Sequence, residues 1–301
     1  MENVPNYRRL YETGELDKRI QQLGNILSNC TLCPRNCGID RRNGQKGHCH
    51  ADILPTISSV SPHFGEEPPL VGYYGSGTIF MTGCSLHCIY CQNYDISQLH
   101  HGQSISFRQL ADNMLNLQEK GCHNINFVTP THQVFAILQA LKIAIKNGLS
   151  IPLVYNSGGY DSIDSLQIIE GVFDIYMPDF KYWNAQTGMR LSGIPDYPAV
   201  AKLAIREMYR QAGNLQVNEA GIAYRGLIVR HLVLPGLYNE SKRVIDFVTS
   251  LSGGIYLNLM NQYRPEYKAC DEKELNGFVN REEFIKLAAY ASRKGAWLAK
   301  F

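Results

Sequence analysis

No run of 18 apolar residues occurs in the 301-residue chain, so no helix is expected to span a bilayer. The opening stretch, MENVPNYRRLYETGELDKRI, has no apolar segment of the kind a secretory signal needs. An excess of charge is missing too, since 29 Lys and Arg face 27 Asp and Glu. That balance leaves no electrostatic footprint for nucleic acid or for an anionic membrane surface. Low-complexity tracts are also lacking. These absences point to a cytoplasmic protein with neither nucleic acid nor membrane as partner.

What the chain does have is cysteine, nine in all. A reducing compartment argues for metal ligation or catalysis over disulfides. Four of them, Cys30, Cys33, Cys37 and Cys49, cluster near the N-terminus; three more, Cys84, Cys88 and Cys91, lie within GCSLHCIYCQN. Cys122 and Cys270 stand alone and read as small buried apolar residues.

Residues 8–27 carry Leu10, Leu16, Ile20, Leu23 and Leu27 near helical spacing. The stretch from Cys30 to Ala51 is poor in apolar residues and cannot build a core without a metal staple. Residues 61–77 read as a Gly- and Pro-rich linker. Beyond them, strand-like runs at 77–83, 125–130, 152–157, 174–180, 226–236 and 255–262 alternate with amphipathic helical runs. Near-continuously apolar strands alternating with helices imply a parallel sheet with helices outside it. Six such units are too few for an eight-stranded barrel, so the fold expected is α/β, a partial open (βα)6 barrel over residues 61–301. Residues 1–60 form a small N-terminal metal-binding segment. The strands end in Thr129 and Thr131, Asn156 and Ser157, Asp179 and Lys181, and Gln262. Ligands bind at that edge in parallel α/β sheets.

Cys84, Cys88 and Cys91 follow the first of these strands in C-x3-C-x2-C spacing. Three thiolates can hold three irons of a cubane cluster. With no fourth cysteine nearby, the remaining iron is open to substrate or cofactor, as in open catalytic metal sites. A zinc knuckle completed by His87 is the plainer alternative. The spacing, with Tyr90 before the last cysteine, resembles the radical S-adenosylmethionine (SAM) superfamily. That resemblance implies a 4Fe–4S cluster on these cysteines, with SAM on its open iron through amino and carboxylate groups. It implies a flavodoxin- or ferredoxin-type electron donor. Reductive cleavage of SAM would then give a 5′-deoxyadenosyl radical that abstracts hydrogen from a substrate.

Within the superfamily, residues 61–301 resemble the pyruvate formate-lyase-activating-enzyme-like branch, notably its poorly assigned members, through SGIPDYPAVAKLAIREMYRQAG, GIAYRGLIVRHLVLPG and NQYRP. The partial barrel is the fold this branch implies. Its D-x-K motif falls on Asp179 and Lys181, and the lysine would meet the SAM carboxylate; an ordinary strand-end ion pair is the alternative. On the fifth strand, Arg230 and His231 point to opposite faces, and Arg230 is the expected carboxylate ligand. Tyr90 would lie near the adenine, or simply pack. The branch's Gly-Gly-Glu is replaced here by NFVTPTH (126–132), where Thr129, Thr131 or His132 could substitute; His132 could instead cap the next helix. Asn156 and Ser157, before Gly158 and Gly159, take the place of a Thr-Asn-Gly turn.

The N-terminal cysteines are spaced C-x2-C-x3-C-x11-C. Four thiolates satisfy a zinc ion or an auxiliary iron–sulfur cluster, and both stay open; His48 and His50 are spare candidates. His63, Glu66 and Glu67 precede the first barrel strand and either face the barrel mouth or form a solvated acidic linker. Three functions follow. The first is a radical enzyme acting on a glycyl-radical partner protein. The second is the same chemistry on a small molecule or another protein. The third is a non-enzymatic iron–sulfur or zinc protein in electron transfer.

Overall fold

The computed structural model describes residues 4–299. Its strands are β1 (Thr56–His63), β2 (Ser76–Met81), β3 (Gln103–Ser104), β4 (Ile125–Val128), β5 (Leu153–Ser157), β6 (Ile175–Pro178), β7 (Gln216–Val217), β8 (Ala223–Leu232), β9 (Tyr256–Met260) and β10 (Trp297–Leu298). They form one sheet in the order β10-β9-β8-β6-β5-β4-β2-β1-β3, with β7 beside β8. The six strands expected from the sequence, β2, β4, β5, β6, β8 and β9, all run parallel to one another. Parallel neighbours need a long crossover, and a helix supplies each one.

The crossovers read clearly in sequence. Helix Phe107–Glu119 starts with a capping box, Ser106 and Gln109 each satisfying the other's backbone N–H. Its Leu110, Ala111, Met114 and Leu117 recur at helical spacing and are buried. Helix Val134–Lys146 is buried along most of its length, because a second layer covers it: Leu16, Ile20 and Leu23 of helix Glu15–Ile26. Each fully buried leucine contributes roughly 1.5–3 kcal/mol. The single N-terminal helix expected over 8–27 is two helices, Asn6–Glu12 and Glu15–Ile26. They part at Gly14, whose φ of 73° a helix interior does not allow.

Sequence periodicity gives no sign of β1. Its residues, TISSVSPH, are polar and only partly buried, and it pairs antiparallel with β2 at the margin of the parallel strands. β1 crosses residue 60, so the segment before the expected barrel contributes to the sheet.

The two faces of the sheet differ. Helices and a large apolar core cover one. The other carries a small apolar cluster of Leu70, Val154, Ile175, Met177, Ile228 and Tyr256. Two residues further along the strands, period-two alternation brings Asn156 (from Val154), Arg230 (from Ile228) and Asn258 (from Tyr256) to that same face. Arg230 pairs in register with Asn258 and bridges to Asp179. A polar layer thus lies over an apolar floor, toward the C-terminal strand ends.

Candidate active site

β2 leads into Gly83, where φ is 86° and a Cβ would stand 2.3 Å from the Cys49 carbonyl oxygen, so only glycine fits. The chain then turns through the cysteine triad. Each sulfur has a hydrogen-bonding neighbour. Leu86 N–H donates to Cys84 Sγ at 3.3 Å, Ser192 Oγ–H donates to Cys88 Sγ at 3.0 Å, and Ser97 Oγ lies 3.2 Å from Cys91 Sγ. Burial pushes the Cys84 and Cys91 thiols up, so both favour the protonated form until a metal replaces the proton. The three sulfurs share a cavity of about 130 Å³ with Thr129, Asn156, Ser157, Asp179, Lys181 and Arg230. A second lobe, about 240 Å³, shares Cys88, Cys91, Asp179, Lys181 and Arg230 and adds Tyr90. The structure therefore brings together nine of the barrel residues singled out in sequence, the three cysteines, Tyr90, Thr129, Asn156, Asp179, Lys181 and Arg230, but not Thr131, His132 or His231.

Charge dominates this cavity. Asp179 accepts from Lys181 Nζ at 2.7 Å and from Arg230 Nε at 2.9 Å. Burial alone would raise the Asp179 carboxyl, but the two cations outweigh it and hold it below its usual range. Lys181 is likewise pulled down by burial and, with Asp179 foremost, ends well above its ordinary value. Arg230 also donates to Asn156 Oδ1 at 2.7 Å. His231 points to the other face, against the Phe180 carbonyl and Ser241.

Glu66 and Glu67 are not a solvated linker. The segment between β1 and β2 turns inward, placing Glu66 3.7 Å and Glu67 4.0 Å from Arg230. Asn258 donates to Glu67 at 2.9 Å. Burial lifts the Glu66 carboxyl to about 7, Arg230 opposing and Glu67 adding to the rise. His63 stays at the rim, 3.7 Å from Glu66.

Around the cavity the backbone is pinned by groups sequence reasoning did not single out. Asp161 is buried and accepts from Thr131 Oγ1 (2.6 Å), Tyr155 Oη (2.8 Å) and Ser157 Oγ (2.7 Å). It thereby ties β4, β5 and the Gly158–Gly159 turn together. Tyr197 Oη meets the carbonyls of Gly158 and Asp179 and the Lys181 N–H, each at 2.9 Å. Glu240 receives the Trp183 and Asn184 N–H groups beyond the lysine. The signal available was a buried acid one turn beyond a strand end, and nothing in spacing alone marks it. Thr129 sits at φ 59°, a left-handed conformation rare for a β-branched residue. His132 does not cap the next helix; its Nε2 meets the Thr82 carbonyl at 2.8 Å. Tyr90 is buried among Tyr182 and Tyr263 and accepts the Tyr182 hydroxyl at 2.7 Å. Of the lone cysteines, Cys122 is buried and Cys270 exposed.

The four N-terminal cysteines line one small cavity, together with Arg35, Arg41, His48, Ser85 and His132. Residues 30–52 contain just one short regular element, a turn of 3-10 helix at Arg41–Asn43 capped by Asp40. Burial pushes the Cys33 thiol up to about 12 and raises Cys49. Among the described residues, no three His, Cys, Asp or Glu side chains close on a point that a single ion would occupy.

The triad fits a cubane cluster on its own chemistry: three sulfurs on one loop, Cys88 buried and Cys84 and Cys91 half-buried, hydrogen-bonding partners at each, and a cation-lined cavity in front. The profile of the Radical SAM superfamily matches residues 78–213, which contain the triad, Thr129, Asn156, Asp179 and Lys181. The chain carries a radical SAM domain. It is also similar to an uncharacterized protein of Methanocaldococcus jannaschii, 32% identical over 287 residues, which is 92% of this chain and 78% of that one. The superfamily implies a 4Fe–4S cluster, SAM and a source of electrons, and marks the chain as an enzyme of oxidoreductase type. The radical SAM match stops short of Arg230 and leaves the N-terminal cysteines outside it. Among the described residues no helix is long and apolar enough to cross a membrane.

Proposed function

We propose that this protein cleaves SAM reductively and abstracts a hydrogen atom from a second substrate, with Cys84, Cys88 and Cys91 as the cluster ligands. The observation that carries the reading is the shared cavity, in which the three sulfurs face Asp179, Lys181 and Arg230. When bound, cluster and SAM supply one-electron cleavage of the sulfonium carbon–sulfur bond and a carbon radical. The chain's own residues do the positioning. Lys181 offers cationic donors to the methionyl carboxylate beside the Arg230–Asp179 pair, Thr129 and Asn156 offer polar contacts at adjacent strand ends, and Gly158 lets backbone approach closely. Tyr90 closes the second lobe. The sheet's parallel strands would form the wall of a partial barrel around this site.

The activating-enzyme-like branch makes a backbone glycine of a partner protein the first substrate to test. A small molecule or another protein is the second reading, and NFVTPTH in place of Gly-Gly-Glu favours it. The N-terminal cysteines would bind zinc or an auxiliary iron–sulfur cluster. Anaerobic reduction with SAM should release methionine and 5′-deoxyadenosine, and Cys88→Ala should abolish both iron at the triad and cleavage. Cleavage persisting in that variant would overturn the assignment. Electron paramagnetic resonance after reduction with candidate glycyl-radical enzymes separates the two substrates: a glycyl signal supports the first, its absence with every partner the second.

A further inference from the structure

The four-cysteine segment is docked directly on the triad loop. The Cys49 carbonyl lies against Gly83, the residue before Cys84. Arg35, between Cys33 and Cys37, donates from Nε to the Ser85 carbonyl at 2.9 Å, and Ser85 follows Cys84. Ser85 itself walls the four-cysteine cavity. His48, beside Cys49, stacks on His87, beside Cys88, with ring centroids 3.8 Å apart and planes at 24°. Arg41 reaches across to the His132 carbonyl at 2.8 Å, and His132 bonds Thr82. Residues adjoining the ligands of one thiol set are thus in contact with residues adjoining the ligands of the other. A merely structural staple has no need of that arrangement.

The four thiols line one small cavity, and four thiolates can ligate the four irons of a cubane cluster.

We infer that the N-terminal cysteines hold a second cubane iron–sulfur cluster, which passes electrons to the barrel cluster across the Cys49–Gly83 and His48–His87 contacts. The inference rests on the radical SAM reading for the barrel cluster alone. One electron leaves a reduced flavodoxin- or ferredoxin-class protein, reduces the N-terminal cluster, and moves on to the barrel cluster; no bond forms or breaks. Such a route keeps the donor away from the cavity mouth, where SAM and substrate must sit. The surface is suited to it. Asn36 and Gly38 are exposed on either side of Cys37. Arg42 and Lys46 are exposed on the same segment, whereas Arg41 is buried.

Two measurements test this without SAM or substrate, so their failure is separate from failure of the radical chemistry. First, a Cys84→Ala, Cys88→Ala, Cys91→Ala variant is reconstituted anaerobically. It should retain about four irons and four sulfides per chain and a reduced-cubane paramagnetic signal. Bound zinc without sulfide would overturn the proposal. Second, the wild type is mixed with a reduced flavodoxin and barrel-cluster bleaching is followed by stopped flow. The fast phase should be lost in Cys33→Ser, Cys37→Ser protein that keeps the barrel iron, and slowed in His48→Leu protein that keeps both clusters. Unchanged barrel reduction in the double-serine variant would refute the relay, and should that variant not fold, an unchanged rate in His48→Leu would do so.

Discussion

Arg230→Met tests the charge balance on which the site is built. The guanidinium bonds Asp179 at 2.9 Å and Asn156 at 2.7 Å, with Glu66 at 3.7 Å. Removing one partner of a buried charge cluster costs about 3–5 kcal/mol. Lys181 still pairs with Asp179, so the lower end applies. The loss must also depend on pH. Glu66 ionises near 4.5 when unfolded and near 7 in the folded chain. An acid raised by folding keeps a proton that the unfolded chain sheds. Its contribution to stability is therefore full below about 4.5 and falls as pH climbs to about 7, where folded Glu66 ionises against Arg230. Without Arg230 that ionisation is postponed, and stability keeps falling by about 1.4 kcal/mol per pH unit. Urea unfolding of anaerobically loaded protein on either side of pH 7 reads this directly. The gap between wild type and variant should stay constant below 7 and widen above it. A gap that is the same on both sides would show that Glu66 and Arg230 do not share a charge balance.

Two further substitutions probe the frame around the cavity. Asp161→Ala leaves the hydroxyls of Thr131, Tyr155 and Ser157 without their acceptor. At about 1–3 kcal/mol each, less the relief of uncovering a buried acid, a loss near 3 kcal/mol is expected in denaturant titration, with weakened SAM binding by calorimetry. Thr129→Gly releases a left-handed β-branched residue from φ 59°, so its thermal midpoint should rise by an amount equivalent to about 1 kcal/mol while SAM affinity falls.

Much of this was legible in sequence because the chemistry repeats simple periods. Six apolar runs gave the six parallel strands in order, and C-x3-C-x2-C after the first of them marked the loop whose three sulfurs line the cavity. Arg230 and His231 were separable by strand alternation alone. What stayed hidden depends on partners distant in the chain. β1 is too polar to announce itself and exists because β2 offers it an edge. Glu66 and Glu67 look like solvated linker until Arg230, more than 160 residues on, draws them inside. Asp161 is an ordinary loop acid until two hydroxyls of β5 and one from the turn after β4 converge on it.

The two cations of the cavity are not equivalent, and the difference decides which of them can receive a carboxylate. Arg230 is occupied: Asp179 and Asn156 take its Nε and Nη2, and Glu66 and Glu67 flank the rest. A carboxylate arriving there would meet three others around one guanidinium. Lys181 has three N–H donors. Among the described residues its Nζ bonds only Asp179 Oδ2, and the side chain lines both lobes of the cavity. Two donors therefore point to what enters, next to the Cys88 sulfur. Lys181→Met should then weaken SAM binding by a charged hydrogen bond, about 1.5–3 kcal/mol or roughly tenfold to a hundredfold in Kd. Arg230→Lys, which keeps the charge beside Glu66 and Asp179, should change Kd far less. Calorimetric titration of SAM into the two anaerobically loaded variants separates them. Equal losses, or the larger loss at position 230, would mean that the arginine gives up its carboxylates when SAM arrives.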